Sequence, residues 1–301
     1  MKRVVSISLG SSKRNHCIKT ELLGEKFSIE RIGTDGDKYK AISLIRSLDG
    51  KVDAFGLGGT DLYIYAGNRR YVFRESQEIA RAAQITPIVD GSGLKNTLER
   101  RVVDYINNEK VVELAGKRVL MVCAVDRFGM AEALTAAGCD MTYGDLIFAL
   151  GLPLPIKRLQ TLDRLARILA PVLTQLPIHM LYPTGSKQER IKPKHAHIYQ
   201  KADIIAGDFH FIKKHMPDRL TGATILTNTV TAEDIELLKD RGVRRLITTT
   251  PEFSGRSFGT NVMEGVLVTL AKKRPDQLKV DDYNLLLDRI GFAPRIEEWP
   301  E

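Results

Sequence analysis

The stretch from residue 116 to residue 145 constrains the fold of this chain more than any other. An apolar run at 119–123 leads into a turn, and the residues that follow have apolar positions at helical spacing. A short apolar run bounded by turn residues is typical of a strand buried on both faces of a parallel sheet. Gly138 ends the helix, and a second extended run begins at Met141. The stretch therefore predicts a strand, a tight turn, a helix and a strand, as at the opening of a mononucleotide-binding βαβ unit.

The turn of this unit bears on whether it binds a nucleotide. A dinucleotide fingerprint places glycines where the backbone bends sharply and approaches a pyrophosphate. Cys123 and Val125 occupy the first two glycine positions, and Gly129 lies near the third. The helix N-terminus still offers free N–H groups to a phosphate, and Arg127 adds a positive charge. The turn is therefore either a nucleotide site or part of a purely structural βαβ unit.

Residues beyond the turn extend the predicted cofactor site. Asp145 lies 22 residues after Cys123, about where an acid that contacts a ribose hydroxyl is expected. Three later extended runs end in small polar residues, and strands of a doubly wound sheet direct such ends at the ligand crevice. The predicted cofactor-binding residues are Cys123, Val125, Asp126, Arg127, Gly129, Asp145, Gly207, Asp208, Thr227, Asn228 and Thr249.

The N-terminal third predicts a second α/β unit. Extended runs at 4–9, 27–32 and 52–57 enclose a segment with helical spacing at 37–48, which implies a right-handed parallel crossover. A chain of 301 residues also exceeds the usual size of one domain, about 100–200 residues. We therefore predict an α/β protein with a smaller N-terminal domain and a C-terminal doubly wound, Rossmann-like parallel sheet. The predicted boundaries are 1–112 for the N-terminal substrate domain, 113–275 for the dinucleotide-binding domain and 276–301 for a C-terminal helix and polar tail.

Two loops of the N-terminal unit are candidates for contacts to a substrate. The first follows the strand at 52–57 and comprises Gly58, Gly59, Thr60 and Asp61. The second, at 90–97, places two glycines, a serine and Lys95 before a helix, so that N–H groups and a positive charge converge on an anion. A capped loop with a surface lysine is the alternative. The predicted substrate-binding residues are Gly58, Gly59, Thr60, Ser92, Asn96 and Thr97.

Further local patterns predict elements around these loops. Aromatic and β-branched residues at 63–73 flank a turn and predict a hairpin, and the apolar run at 178–182 predicts a strand with an exit turn at 183–186. Thr231 and Asp234 predict a capping box at a helix start. The glycine-rich segment 253–265 is expected to close over a ligand with Arg256, and Asn261 to cap the next helix.

Composition limits the classes of partner. The net charge of +8 is spread along the chain without basic blocks, which favours an anionic small molecule over nucleic acid. The N-terminus lacks a signal-peptide pattern, and no apolar run approaches the ~20 residues that span a membrane. Three cysteines without CxxC spacing indicate free thiols in a reducing cytoplasm. The sequence contains no dimerisation signal. A homodimer stays an open alternative because homodimers are common in general.

The six histidines match no established metal-site spacing. We therefore expect no metal, and we interpret most of the histidines as surface or capping residues. His210 is the exception, because it follows the predicted strand end at Asp208 and can face the crevice as an acid or a base.

The chain resembles bacterial quinate 5-dehydrogenases, within the broader class of shikimate and quinate dehydrogenase-like proteins. The resemblance extends over nearly the full length and rests on VDAFGLGGTDLY, TPIVDGSGLKNTLERR, SGRSFGTNVMEG and the succession KADIIAGDF, ATILTNTV and RRLITTTP. It implies NAD or NADP as cofactor and a Lys/Asp pair at the domain cleft, where the lysine relays a proton and the aspartate orients it. Lys95 is then the candidate lysine, with Asp61 or Asp90 as its partner. The Ser-x-Ser substrate signature of the class has no clear counterpart beyond Ser6-x-Ser8.

These observations predict an oxidoreductase that transfers a hydride between a dinucleotide and a small hydroxy acid, of which quinate or shikimate is one kind. Asp145 favours NAD over NADP. A non-catalytic two-domain protein that closes on an anionic metabolite is the main alternative, and the substituted glycines at Cys123 and Val125 support it. An enzyme that uses a different nucleotide, such as a transferase, is a third reading, since the same sheet supports many functions.

Overall fold

The described part of the chain forms two α/β layers, each built on its own sheet. The computed structural model describes residues 1–66, 69–181, 190–253, 256–257 and 259–300. Five strands form the first sheet and six form the second. This arrangement confirms the predicted two-domain α/β class with a parallel sheet in each unit. Among the described helices, none is both long enough and apolar enough to cross a membrane.

The first sheet comes from the N-terminal third of the chain, as the apolar runs there predict. Its strands run parallel except β2, which pairs antiparallel with β3 at one edge. The order across the sheet is β2-β3-β1-β4-β7. Its strands and the adjoining hairpin are β1 (Lys2–Ser8), β2 (His16–Leu22), β3 (Glu25–Gly33), β4 (Ala54–Gly58), β5 (Tyr63–Ala66), β6 (Arg69–Val72) and β7 (Ile88–Val89).

The second sheet is the predicted doubly wound sheet. Its order is β15-β12-β11-β10-β8-β9, and all its strands run parallel except β15 at the edge. β13 and β14 pair antiparallel as a separate two-stranded ribbon. The strands are β8 (Arg118–Met121), β9 (Asp140–Tyr143), β10 (Ile204–Ala206), β11 (Thr224–Thr227), β12 (Arg245–Thr248), β13 (Glu252–Phe253), β14 (Arg256–Ser257) and β15 (Arg295–Glu298).

Helices cover the sheets, and several begin where the sequence predicts. Asp37 caps α1 by accepting from the backbone N–H groups of Tyr39 and Lys40, and Thr231 and Asp234 form the predicted capping box of α9. The α-helices are α1 (Lys38–Leu48), α2 (Arg74–Ala80), α3 (Ser92–Asn108), α4 (Phe128–Ala136), α5 (Leu159–Leu173), α6 (Ile178–Leu181), α7 (Ala196–Lys201), α8 (Phe209–His215), α9 (Ala232–Asp240), α10 (Thr260–Ala271) and α11 (Val280–Arg289).

The strand order reverses at one point in each sheet, and these points position the site. In the first sheet the reversal lies between β1 and β4, and in the second it lies between β8 and β10. Ligands of open parallel sheets bind in the crevice outside the C-terminal strand ends at such a switch point. Residues after β4 and residues after β8 and β10 line one common cavity between the layers.

Several local predictions differ from the structure. The segment predicted as a strand at 178–182 begins as the one-turn helix α6, because a short apolar run does not distinguish a strand from a buried helical turn. Its predicted exit turn, the hairpin turn at 67–68 and the Arg256 side chain lie outside the described residues. Asn261 lies inside α10 and does not cap it, since Gly259 takes the N-cap position. The expected polar tail contains β15, which pairs with β12.

Helices α3 and α10 join the two layers. Val262 and Val266 of α10 pack against Val4 and Phe27 of the first sheet, although α10 lies between β12 and β15 of the second sheet in the chain. Met263 and Leu267, also on α10, pack against α3 and α11. This packing of α10 crosses the predicted division at residue 112. The predicted domain boundaries therefore stay a prediction.

A close contact between α3 and α4 explains why residue 129 is a glycine. The sequence analysis assigned Gly129 to the cofactor site. A Cβ atom built at Gly129 would lie 2.2 Å from Oδ1 of Asn96 and 3.0 Å from the Asn96 carbonyl oxygen. The absence of a side chain thus permits the two helices to approach each other. Gly129 acts here on helix packing, as the third glycine of a fingerprint does for helix and strand.

We expect the methyl group added in Gly129→Ala to overpack this contact, at a cost of about 1–3 kcal/mol before helix propensity is included. Helix propensity acts in the opposite direction and favours alanine by about 1 kcal/mol. Urea unfolding measures the sum, and Ala133→Gly in the same helix calibrates the propensity. A stabilised Gly129→Ala variant would contradict the close contact.

Candidate functional site

The candidate site is a polar cavity of about 180 Å³ between the two layers. Ser6, Ser8 and the segment 58–61 line it from the first sheet, and Asp126, Arg127, Asp208 and Asn228 line it from the second. Most of these residues lie at or after the C-terminal ends of the strands that flank a switch point, and Asn228 follows the neighbouring strand β11. The cavity therefore lies where each sheet alone would be expected to bind a ligand.

A buried lysine with two carboxyl partners forms one wall of the cavity. The Lys95 ammonium lies 2.9 Å from Oδ1 of Asp61 and 2.9 Å from Oδ1 of Asp126. The three side chains are only 10–11% exposed. Burial alone would lower the pKa of Lys95, but the charges of Asp126 and Asp61 outweigh it and raise that pKa. Lys95 is therefore protonated, and it joins residues of both layers.

Asp61 is the direct partner of Lys95, whereas Asp90 binds backbone N–H groups. One oxygen of Asp90 accepts from the backbone N–H of Leu62 at 2.6 Å, and the other accepts from that of Ser92 at 3.1 Å. Asp90 thus ties the start of α3 to the loop after β4, and the positive φ of 98° at Gly91 permits the turn between them. Helix α3 begins at Ser92, so Lys95 lies in its first turn and not in the loop that the sequence predicts.

Arg127 extends this network across the second layer. Its guanidinium donates to Glu99 of α3 and, at 3.1 Å, to Oδ2 of Asp208. The side-chain amide of Asn228 donates to the same Asp208 oxygen at 2.8 Å. Burial would raise the pKa of Asp208, but the Arg127 charge, together with His210 and the hydrogen bond from its backbone N–H, outweighs burial and lowers that pKa. Arg127 thus binds protein carboxylates and holds α3 against the strand ends.

Another wall of the cavity carries positive charge and hydroxyl groups. Arg14 lies 2.9 Å from Nε2 of His210, and Arg31 donates to Oγ of Ser8 at 3.0 Å. Burial, together with the charge of Arg14, lowers the pKa of His210 to about 4, so its imidazole is neutral near pH 7. His210 faces the cavity, as the sequence predicts for the residue after this strand end.

Close packing around β4 explains the glycines of the first substrate loop. The amide of Asn261 donates to Oγ of Ser6 at 2.8 Å, and a Cβ atom at Gly58 would lie 3.2 Å from that amide nitrogen. Gly59 has φ of +75°, a left-handed conformation that favours glycine, and its Cβ would lie 3.0 Å from the backbone nitrogen of Gly10. The glycines therefore permit α10 and β1 to approach the cavity.

The bend after β8 does not have the free N–H groups that the nucleotide prediction requires. Oδ1 of Asp145 accepts from the backbone N–H groups of Ala124 and Val125, each at 2.9 Å. Asp145 is buried, and burial raises its pKa to about 6 against the opposing effect of these amides. The acid assigned to a ribose hydroxyl instead occupies the amides assigned to a phosphate. This is a correction to the predicted roles of Asp145 and of the bend.

The predicted residues divide into three groups. The first surrounds the cavity and comprises Gly58, Gly59, Thr60, Asp61, Asp90, Lys95, Asp126, Arg127, Asp208 and Asn228. The second lines a larger groove of about 1270 Å³ on another side of Lys95 and comprises Ser92, Asn96, Thr97, Val125 and Gly129. The third group lines neither the cavity nor the groove and comprises Cys123, Asp145, Gly207, Thr227 and Thr249.

The third group is explained by packing and backbone contacts. Oγ1 of Thr227 donates to the Gly207 carbonyl at 2.8 Å, and the backbone N–H of Thr249 donates to the Thr227 carbonyl at 2.8 Å. Burial raises the pKa of the Cys123 thiol well above its usual value. These residues hold the strand ends together, and their assignment to the cofactor stays a prediction.

Sequence reasoning missed Arg14, Arg31, His16 and Asn261 as cavity residues. Arg31 lies in β3 on the same face as the buried Phe27 and Ile29, and a charged residue in that apolar alternation is a weak signal that it faces a polar space. Arg14 lies in a short 3₁₀ turn and carries no comparable signal. Within the described ranges, no group of three or more His, Cys, Asp or Glu side chains is placed to hold a metal ion.

We expect Asp145→Ala to destabilise the fold, because it leaves the buried amides of Ala124 and Val125 without a partner. Each unpaired group costs about 1–3 kcal/mol, and Asp145→Asn costs less because its side-chain oxygen still accepts. Urea unfolding measures the difference. Asp140→Ala, an exposed aspartate on neighbouring β9, is the matched control, and an Asp145→Ala variant as stable as that control would contradict the contact.

Comparisons with known proteins give a family but no activity. Among solved structures, the chain is similar to an NAD-dependent malic enzyme from Thermotoga maritima, with 15% identity, 96% of this chain and 83% of that chain covered, and a TM-score of 0.33. It is also similar to a galactofuranose binding protein (12% identity, 97% and 99% covered, TM-score 0.35) and to a sugar ABC transport substrate-binding protein from Bordetella parapertussis (9%, 99% and 89%, TM-score 0.37). TM-scores this low carry no argument about fold or function.

Curated protein sequences gave no match. Residues 3–90 match the model of a domain of unknown function, DUF8753. Residues 93–299 match the model of a second domain of unknown function, DUF8754, over more than half of the sequence. The chain therefore belongs to the DUF8754 family.

Proposed function

We propose that this protein binds a small anionic metabolite in the cavity between its two layers. The observation that carries the proposal is the convergence of both switch points on one polar cavity, with Arg14, Arg31 and Lys95 in its walls. Each switch point is by itself a general ligand position in parallel sheets. Binding of one small molecule between two such units requires no cofactor.

The size of the cavity supports a small ligand. An apolar cavity of about 150 Å³ accommodates benzene, and drug-sized ligands occupy about 300–1,000 Å³. The volume of about 180 Å³ found here therefore suits a molecule on the order of ten non-hydrogen atoms. A hydroxy acid of this size fits, whereas a dinucleotide would need space outside the cavity.

The distribution of charge supports an acid with a polar second group. Carboxylates are concentrated around Lys95 and Arg127, which bind them directly. Arg14 and Arg31 lie beside the neutral imidazole of His210 and the hydroxyl of Ser8. A carboxylate of the ligand would face the arginines, and its hydroxyl or carbonyl group would face Lys95.

Isothermal titration calorimetry with malate, lactate and quinate tests this proposal. We expect at least one of these acids to bind, and Arg31→Ala to weaken binding about 10- to 100-fold, because a charge-assisted hydrogen bond contributes about 1.5–3 kcal/mol. Arg3→Ala is the matched control, since Arg3 pairs with Glu30 on the same sheet. No binding of any acid, or equal affinities of the two arginine variants, would contradict the proposal.

A second candidate is the predicted hydride transfer with NAD or NADP, and the contact between Lys95 and Asp61 favours it. A lysine and an aspartate in hydrogen-bond contact can hold and move the proton of a substrate hydroxyl. The cofactor would supply the hydride chemistry. The larger groove beside Lys95 has the space for a dinucleotide, whereas the bend at Ala124 and Val125 does not offer it a phosphate site.

For this second candidate, we expect Lys95→Ala to abolish NAD-linked oxidation of a hydroxy acid and to leave NADH binding intact. General acid–base catalysis contributes about 10²–10⁴-fold to a rate, so the loss would be of that order. Absorbance at the NADH band measures turnover, and NADH fluorescence measures binding. Lys213→Ala, which breaks the ion pair with Asp234, is the control. Unchanged turnover would reject the role of Lys95, and no NADH binding by the unmodified protein would favour the binding protein.

A further inference from the structure

Asp61 and Asp126 meet across the cleft although they belong to different layers. Asp61 follows β4 of the first sheet, and Asp126 follows β8 of the second. Each carboxyl group accepts from the Lys95 ammonium at 2.9 Å, so the two carboxyl groups flank one buried cation. All three side chains line the cavity.

Two buried carboxyl groups on a single ammonium favour a proton on one of them. Two ionised carboxylates held this close by one cation would repel each other, whereas a neutral carboxyl group can donate to its ionised neighbour. We propose that Asp61 and Asp126 share one proton beside Lys95 and together form the acid–base group that a ligand oxygen meets in the cavity. The part of this inference that concerns a ligand rests on the proposed function, whereas the shared proton does not.

The charges around the pair also favour a retained proton. Lys95 and Arg127 are the cations in direct contact with this network, and their partners are the four carboxyl groups of Asp61, Asp126, Glu99 and Asp208. Four ionised carboxylates would leave a net charge of −2 in a buried region, which is costly. The titratable and charged groups that face the pair are Asp90, Lys95, Glu99, Arg127 and Asp208.

The electrostatic environment places the proton on Asp61. Burial and then the neighbouring charge of Asp126 raise the pKa of Asp61 well above its usual value. Burial has the same effect on Asp126, but Lys95, the hydrogen bond from Asp61 and Arg127 outweigh it and lower its pKa. The two carboxyl groups thus have opposite shifts, as expected of a pair that holds one proton.

This arrangement gives the cavity a donor and an acceptor at one place. Asp61 can give its proton to a basic ligand oxygen, which leaves two carboxylates on the Lys95 ammonium. In the opposite direction, the Asp126 carboxylate can take the proton of a ligand hydroxyl, which leaves two neutral carboxyl groups and an alkoxide beside Lys95. Both directions conserve charge and protons, and both select a ligand with a hydroxyl or carbonyl group at this end.

NMR of the ligand-free protein labelled at aspartate ¹³Cγ tests the shared proton. At pH 7 we expect a protonated aspartate resonance that shifts between H₂O and D₂O. In Asp61→Asn the protonated carboxyl is absent, and in Asp126→Asn it is lost because Asp61 then ionises next to Lys95. Asp203→Asn, on the surface pair with Arg118, is the matched control and should retain the resonance.

A wild-type spectrum with every aspartate ionised at pH 7 would overturn the inference, and this measurement does not depend on whether a variant folds. A protonated resonance that survives both Asp61→Asn and Asp126→Asn would overturn it as well. Asp145, whose pKa is raised to about 6, is recognised by its own titration midpoint and by its loss in Asp145→Asn. Because the protein is free of ligand, failure of hydroxy-acid binding would leave this result unchanged.

Discussion

The ion pairs of Lys95 hold the rest of the site in place. A buried ammonium is costly unless it is paired, and removal of one partner of a buried pair usually costs more than the pair itself contributes. Lys95 avoids this cost by binding Asp61 of the first layer and Asp126 of the second. The position of α3 is thereby fixed relative to both sheets. Arg127 is likewise a buried cation with two carboxyl partners, Glu99 and Asp208.

Much of the fold could be predicted because it follows from periodicity and from residues at element ends. The apolar run that became β8, the helical spacing at 37–48 that became α1 and the capping box at Thr231 are local signals, and the structure confirms them. The one-turn helix α6 and the edge strand β15 could not be predicted, because the first depends on a short ambiguous run and the second on pairing with a strand distant in sequence.

The site was predictable in part, for a related reason. Strand ends such as Asp61 and Asp208 can be found from the sequence because their position follows from the sheet. The identity of their partners depends on distances between layers, so the contact of Lys95 with Asp126 carried no sequence signal. Asp145 shows the limit of spacing arguments. Its separation from the bend suits an acid that contacts a ribose, yet the same separation lets its carboxylate reach the amides of that bend.

The course of α10 has a consequence for how the chain can be divided. Its valines cover Val4 and Phe27 of the first sheet, so a fragment that ends near residue 112 would expose an apolar sheet face to water. Such a fragment would tend to aggregate or to recruit the missing helix from another molecule. We therefore expect the two matched regions, 3–90 and 93–299, to fold as one unit, because α10 of the second region covers the sheet of the first.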